Sequence, residues 1–248
     1  MSVMTLSPEA RPVRVAAIGD LHVSESMQRP YRDLFTQVSN EADAVVICGD
    51  LTNYGKPSEA HVLAEDLHAC AIPVIAVLGN HDHESNCVEE VKHILTQTGA
   101  HILDGGEAVE VLGIGFAGCM GAMGGFGRGM LSAFGEPAVK TFVQACLEET
   151  MKLETGLRML RTERAIAVTH YAPVTSTLEG EPLEIYPFLG NSRLAETIDR
   201  FDNVRFAVHG HAHRGVFRGA TPKGVPVYNV ARPVLARMGE RPFTLLDV

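Results

Sequence analysis

Short apolar runs that break off at a glycine and a polar residue recur along the chain. Val13–Ile18 stops at Gly19-Asp20, Ala44–Cys48 at Gly49-Asp50, and Val74–Leu78 at Gly79-Asn80. Each run reads as a buried strand whose carboxyl end opens into a loop. Helical spacing lies between them. Tyr31, Leu34, Phe35 and Val38 share one face of a helix. Pro57 suits the first turn of a second helix reaching about Ala69. Ser85 is expected to cap a third, with Val88, Val91, Ile94 and Leu95 on its apolar side. Strand and helix alternate, which predicts an α/β fold containing parallel sheet.

The pattern then changes. Ile102–Leu103 and Ala108–Leu112 flank Asp104-Gly105-Gly106 and read as a hairpin. Gly113–Gly129 is rich in glycine and is expected to be a tightly turned or mobile loop, with Arg128 placed to reach a phosphate. It contains a literal G-x-G-x-x-G at Gly113–Gly118, but more glycine follows where a dinucleotide site needs a helix. Pro137 opens a long helix to about Leu160, with Phe142, Val143, Cys146, Leu153 and Leu157 near one stripe. Ala165–Thr169 is another strand, ending at His170. Thr175–Asn191 is long for a plain connection and should edge any cleft there, so Tyr186, Phe188 and Asn191 become candidate substrate contacts. A helix over Arg193–Arg200 precedes the strand Val204–Val208, which ends at His209-Gly210-His211. Val216–Arg218 and Val225–Val230 read as the last strands of a meander. No linker or repeat divides residues 1–248, so one domain is expected.

Composition narrows the function. The longest strongly apolar stretch, Ala71–Leu78, is far too short to cross a bilayer, so no membrane partner is expected. The N-terminus lacks the apolar core of a secretory signal. The five cysteines include no C-x-x-C pair, which favours a reducing compartment and a cytoplasmic location. A net charge of −9 disfavours nucleic acid as a partner. A small anion remains compatible if a local cation attracts it. Eleven histidines then matter, because histidine and carboxylate clusters build metal sites.

Several of these histidines fall at the strand ends. The order is Asp20-Leu21-His22, Gly49-Asp50, Gly79-Asn80-His81-Asp82, His170, and Gly210-His211-Ala212-His213. Asp and Asn alone would be ordinary turn residues, but turn chemistry does not explain five histidines among them. Ligands in open α/β sheets bind outside the carboxyl ends of strands. Residues two apart in an extended segment point to the same side, which gives D-x-H and H-x-H their meaning. Oxygen and imidazole donors suit Mn, Fe, Zn or Ni. The set exceeds one tetrahedral ion and suits two divalent metal ions, which can clamp an in-line phosphoryl displacement. His61, His68, His93 and His101 lie outside the pattern, while His83 is close enough to support the site from behind.

These five blocks, in this order over residues 20–213, resemble the calcineurin-like metallophosphoesterase superfamily. The resemblance implies a four-layer α/β/β/α sandwich, two central mixed sheets flanked by helices. It implies that Asp20, His22, Asp50 and His213 hold one metal. Asp50, Asn80, His170 and His211 would hold the second, with Asp50 bridging. His81 matches the family's non-ligand histidine, expected to protonate the leaving oxygen, and metal-bound hydroxide would be the nucleophile. Serine/threonine protein phosphatases carry G-D-x-x-D-R-G; here Asn53 takes the place of the second Asp and no Arg follows. An amide supports an imidazolium less than a carboxylate does. The likeness therefore leads to the small bacterial-type phosphoesterases. The expected partner is a small or exposed phosphoester, with monoester and diester both open. A scaffold of this fold and a metal-dependent nuclease are the competing readings.

Overall fold

The computed structural model describes residues 11–239 and 241–248. The elements, in chain order, are β1 (Arg14–Ile18), α1 (Arg32–Glu41), β2 (Ala44–Cys48), α2 (Pro57–Leu67), β3 (Val74–Val77), α3 (Val88–Thr96), β4 (His101–Ile102), β5 (Ala108–Val111) and β6 (Ile114–Cys119). There follow α4 (Pro137–Met159), β7 (Ala165–Thr169), α5 (Tyr186–Leu189), α6 (Ser192–Ile198), β8 (Val204–His209), β9 (Arg218–Ala220), β10 (Pro226–Asn229), α7 (Arg232–Met238) and β11 (Thr244–Asp247).

Two mixed sheets form the centre. One runs β11-β1-β2-β3-β4 and the other β5-β6-β7-β8-β10-β9. In the first, β11 alone is antiparallel. In the second, β6, β7, β8 and β10 are parallel and the two edge strands antiparallel. The sheets pack face to face, and a two-residue period assigns the sides. Ile114, Phe116, Ile166, Val168, Phe206 and Val208 join the core shared with the first sheet. Their neighbours Ala117, Cys119, Ala165, Ala167 and Ala207 turn outward against Leu153 and Leu157 of α4 and Leu194 of α6. Helices α1 and α3 pack on the first sheet's side and α4 on β6. The result is the four-layer α/β/β/α sandwich, and burial of the central strands on both faces explains their unbroken apolar runs.

Four expectations change. Ile102–Leu103 and Ala108–Leu112 do not pair: β4 lies parallel to β3, and β5 is antiparallel to β6 in the other sheet. Asp104-Gly105-Gly106 therefore joins the sheets. The hairpin turn is Leu112-Gly113, with φ of 53° and 76°, the two positive values that a type I′ turn needs. This places a fully buried strand, Ile114–Cys119, inside the stretch expected to be loop, and removes the dinucleotide reading. The meander fails as well, because β10 lies parallel to β8 and β9 takes the edge. Ser85 caps no helix; its hydroxyl donates to the Tyr54 carbonyl at 2.6 Å.

Phe116 is fully buried between the sheets. Phe116→Ala is expected to remove about 3–5 kcal/mol of stability, read from urea unfolding monitored by circular dichroism. A loss of about 0.5 kcal/mol or less, as for a surface loop, would contradict the strand's position.

Candidate metal centre

Every candidate residue sits just past a parallel strand. Asp20 and His22 follow β1, Asp50 follows β2, Asn80 and His81 follow β3, His170 follows β7, and His211 and His213 follow β8. Because the sheets face each other, these ends open at one edge of the molecule. All eight residues come together there. Asp20, His22 and His213 present ligand atoms within 4.8 Å of one another. The same holds for His22, Asp50 and His81, and for Asp50, His170 and His211. Asp50 thus belongs to two groups and lies between the other members. Asn80 joins through its Oδ1, 3.0 Å from His170 Nε2.

The turns that deliver these side chains are unusual. Asp20, His22, Asp50 and His211 have φ of 60°, 47°, 49° and 67°. The left-handed region costs a non-glycine residue about 1–3 kcal/mol and persists only where its surroundings enforce it. The surroundings here are hydrogen bonds between the turns. Asp20 N donates to Gly49 O at 3.0 Å, and His22 N to Asp50 O at 2.9 Å. His211 N donates to Asp20 Oδ1 at 3.0 Å, and His81 N to Asp50 Oδ1 at 2.9 Å. Two glycines allow the close approach. Gly49 has φ of 80°, and a Cβ there would meet the His170 ring at 2.5 Å. A Cβ on Gly79 would collide with the Asp50 amide and carboxylate.

The donor set fits divalent cations on two observations. Both ring nitrogens of His22 are buried without any hydrogen-bond partner, a costly state for an imidazole that nothing binds. His170 supplies the second. Its Nδ1 lies 2.9 Å from the Cys48 carbonyl, which can only accept, so Nδ1 carries a proton. Its Nε2 then faces Asn80 Oδ1 at 3.0 Å and Asp50 Oδ1 at 3.4 Å. With a neutral ring Nε2 is an acceptor as well, and three acceptors converging this way suit a metal cation or a proton among them. An imidazole with its far nitrogen tied to a carbonyl is also the usual arrangement of a metal-ligating histidine.

The electrostatics agree. Burial pushes the Asp20 carboxyl up, but the hydrogen bond from His213 and the neighbouring imidazoles outweigh it and leave the group below its usual range. Burial lowers His22 against the pull of Asp50 and Asp20, and lowers His211 to about 3. Both imidazoles are therefore neutral at pH 7 and keep a lone pair to offer. His213, with Nε2 at 2.9 Å from Asp20 Oδ1, is raised by that bond.

Two supporting residues had no assigned role in the sequence reading. Asp82 is fully buried and accepts from Leu51 N at 3.1 Å, Thr52 N at 2.8 Å, Thr52 Oγ1 at 2.6 Å and Gly79 N at 2.8 Å. It ties the loop carrying Asp50 to the loop carrying His81. The fourth letter of Gly79-Asn80-His81-Asp82 was the available signal. Tyr171 packs its ring 4.5 Å from that of His211 and 5.5 Å from that of His170; burial and Asp50 push its phenol up to about 12, so it stays protonated. Its position next to His170 was the signal there.

Other candidates fall elsewhere. His81 Nδ1 is 2.7 Å from the backbone carbonyl of Asn53, not from the Asn53 amide. Tyr186 donates to Leu178 O at 3.0 Å, and buried Asn191 caps α6 and donates to Ala122 O; both hold the loop together instead of facing a substrate. Phe188 remains exposed, while its carbonyl lies 3.3 Å from His211 Nε2. Arg128 is exposed on a short turn. His83 stands beside the site with Nε2 buried and unpartnered.

Residues 13–215 match the family described as calcineurin-like phosphoesterase. The chain belongs to that family. Curated relatives agree at a distance. A glycerophosphodiester phosphodiesterase GpdQ from Enterobacter lignolyticus is 36% identical over 58 residues, 23% of this chain and 21% of the relative. A probable glycerophosphodiester phosphodiesterase GpdQ from Arcobacter nitrofigilis is 23% identical over 173 residues, 69% of this chain and 57% of the relative. The chain therefore spans little more than half the length of these relatives at most. Among solved structures, the phosphopantetheinyl hydrolase PptH of Mycobacterium tuberculosis superposes with a TM-score of 0.67 at 15% identity, covering 95% of this chain and 96% of that one; this is a likeness of fold.

Asp82→Ala would strip the acceptor from four donors, three backbone amides and a hydroxyl, in a buried place. The expected loss is about 3 kcal/mol or more, measured by thermal or urea unfolding in chelator. Stability within about 0.5 kcal/mol of wild type would remove Asp82 from its clamping role.

Proposed function

We propose that the protein hydrolyses small or exposed phosphoesters with the help of two divalent cations. The observation that carries this reading is the placement of Asp50 between two groups of ligand atoms, next to a His22 whose nitrogens bond nothing. Asp20, His22, Asp50 and His213 would hold one ion. Asp50, Asn80, His170 and His211 would hold the other. The bound ions would supply Lewis acidity at phosphoryl oxygens and lower the pKa of water. The relatives' names favour phosphodiesters as the first substrates to try. The five free thiols suit a reducing compartment such as the cytoplasm.

The chain's own part is positioning and proton transfer. His81 donates Nδ1–H to Asn53 O, which fixes the ring and leaves Nε2 to hold a proton for the departing alkoxide. Asp82 keeps the loops of Asp50 and His81 at a set distance. Tyr171, a protonated phenol, walls the side next to His211.

Purified protein reloaded with Mn²⁺ is expected to cleave bis(p-nitrophenyl) phosphate and to stop in EDTA. Asp50→Asn should cost at least about a hundredfold in kcat, with metal content by elemental analysis falling in parallel. Metal-loaded, folded protein inactive on aryl monoesters and diesters would overturn the proposal. His81→Asn should keep the metal and lose about 10²–10⁴-fold in kcat. The loss should be larger for an alkyl leaving group than for p-nitrophenoxide, which needs little protonation. Equal losses on both would remove the acid role.

A further inference from the structure

A cleft of about 340 Å³ adjoins the candidate centre. Its walls include Met120, Met123, Phe142, Cys146, Glu149 and Tyr171. Two contacts link it to the centre. Tyr171 lines it and packs on the His211 ring. The Met120 carbonyl accepts from the amides of both His170 and Tyr171 at 3.0 Å. The apolar stripe of α4 accounts for the far wall. Its carboxyl half, Leu153 and Leu157, is buried against β6, whereas Phe142 stays 36% exposed because the helix overruns the sheet. Thioethers and an aromatic ring on opposite sides make an adaptable apolar slot.

Glu148, Glu149 and Lys152 also line it, and among the lining residues Glu149 carries the buried polar atom without a partner. The Glu149 side chain is only 17% exposed. Its Oε1 accepts from Lys152 Nζ at 2.5 Å, while Oε2 is buried without a partner. Lys152 is shared with Asp104 at 3.8 Å. Burial pushes the carboxyl up; Lys152 and the nearby His83 act against that. Leaving such an oxygen bare is costly, and a donor on a ligand relieves it. A site built around a hydrogen bond also discriminates strongly against an analogue lacking the donor.

We propose that this cleft seats the organic part of the phosphoester, and that Glu149 selects a carbon stem bearing a hydrogen-bond donor, an O–H or N–H, several bonds from phosphorus. The inference rests on the phosphoesterase reading and names its substrate class. The test uses two p-nitrophenyl phosphodiesters, one of 1,6-hexanediol and one of 1-hexanol, with the Mn²⁺-loaded full chain. Wild type is expected to favour the diol ester tenfold or more in kcat/KM. Glu149→Leu should bring that ratio below twofold, and Glu149→Gln, which keeps an acceptor, should retain part of it. No preference in wild type, or a ratio untouched by Glu149→Leu, overturns the proposal. A binding measurement separates it from the hydrolytic reading. The phenylphosphonate monoester of 1,6-hexanediol should shift the Met120 and Met123 methyl resonances of methyl-¹³C-methionine protein, more than the 1-hexanol analogue does. If neither diester turns over but those shifts appear, the hydrolytic reading fails and the cleft assignment stands. If the methyls stay still, the cleft assignment fails whatever the turnover.

Discussion

The hydrogen bond from His170 to the Cys48 carbonyl spans the two sheets where the site begins. His170 leaves the end of β7 and Cys48 ends β2, so this single contact sets one sheet's strand ends against the other's. It requires the absence of a side chain at Gly49, whose place the His170 ring occupies. A second close approach lies deeper, where a Cβ on Gly118 of β6 would meet Val77 of β3 at 2.7 Å. The sheets are thus held at a fixed separation by small residues at both levels. The clusters of ligand atoms can exist only while that separation holds, because Asp20 and His22 from one sheet meet His213 from the other, and Asp50 meets His170 and His211.

The same closeness has an energetic cost. Asp20, His22, Asp50 and His211 occupy the left-handed region, and Asp20 and Asp50 are buried carboxylates. The left-handed turns oppose folding. They are tolerated because the surrounding framework is dense: β1, β2, β3, β6 and β7 are buried on both faces almost throughout. A group that binds only the folded state adds stability that grows as the logarithm of its concentration over its Kd.

The strand ends were legible because a buried parallel strand and a polar ligand loop leave opposite marks on adjacent residues. Val74–Leu78 followed by Gly79-Asn80-His81 needs no partner to be read. Pairing was less legible. Ile102 and Ala108 both sit in short half-apolar segments, and the intervening Asp-Gly-Gly fits a turn within one sheet as well as a passage between two. Glycine misled in β6, where Gly115 and Gly118 serve close packing and not flexibility. Asn53 shows a further limit. Its identity suggested a side-chain partner for His81, yet the contact uses the carbonyl that every residue carries, so the letter at that position holds no information about it.

Side chains that act at a distance in sequence were the least legible. Phe142, Cys146, Glu149 and Leu153 fall on neighbouring positions of one helix. Periodicity assigns the apolar ones to a core and the acid to solvent. The sheet beneath ends before the helix does, so the same stripe is core at Leu153 and cleft wall at Phe142. Glu149 lies between these regimes, where one carboxylate oxygen meets Lys152 and the other meets nothing. Helical period alone cannot mark that boundary, since it depends on where β6 stops and on Tyr171 arriving from β7. The candidate metal-ligand pattern is written locally because each loop supplies its own donors. The surface next to it is assembled by two elements from one sheet and a helix crossing them, which is why its chemistry becomes visible only in three dimensions.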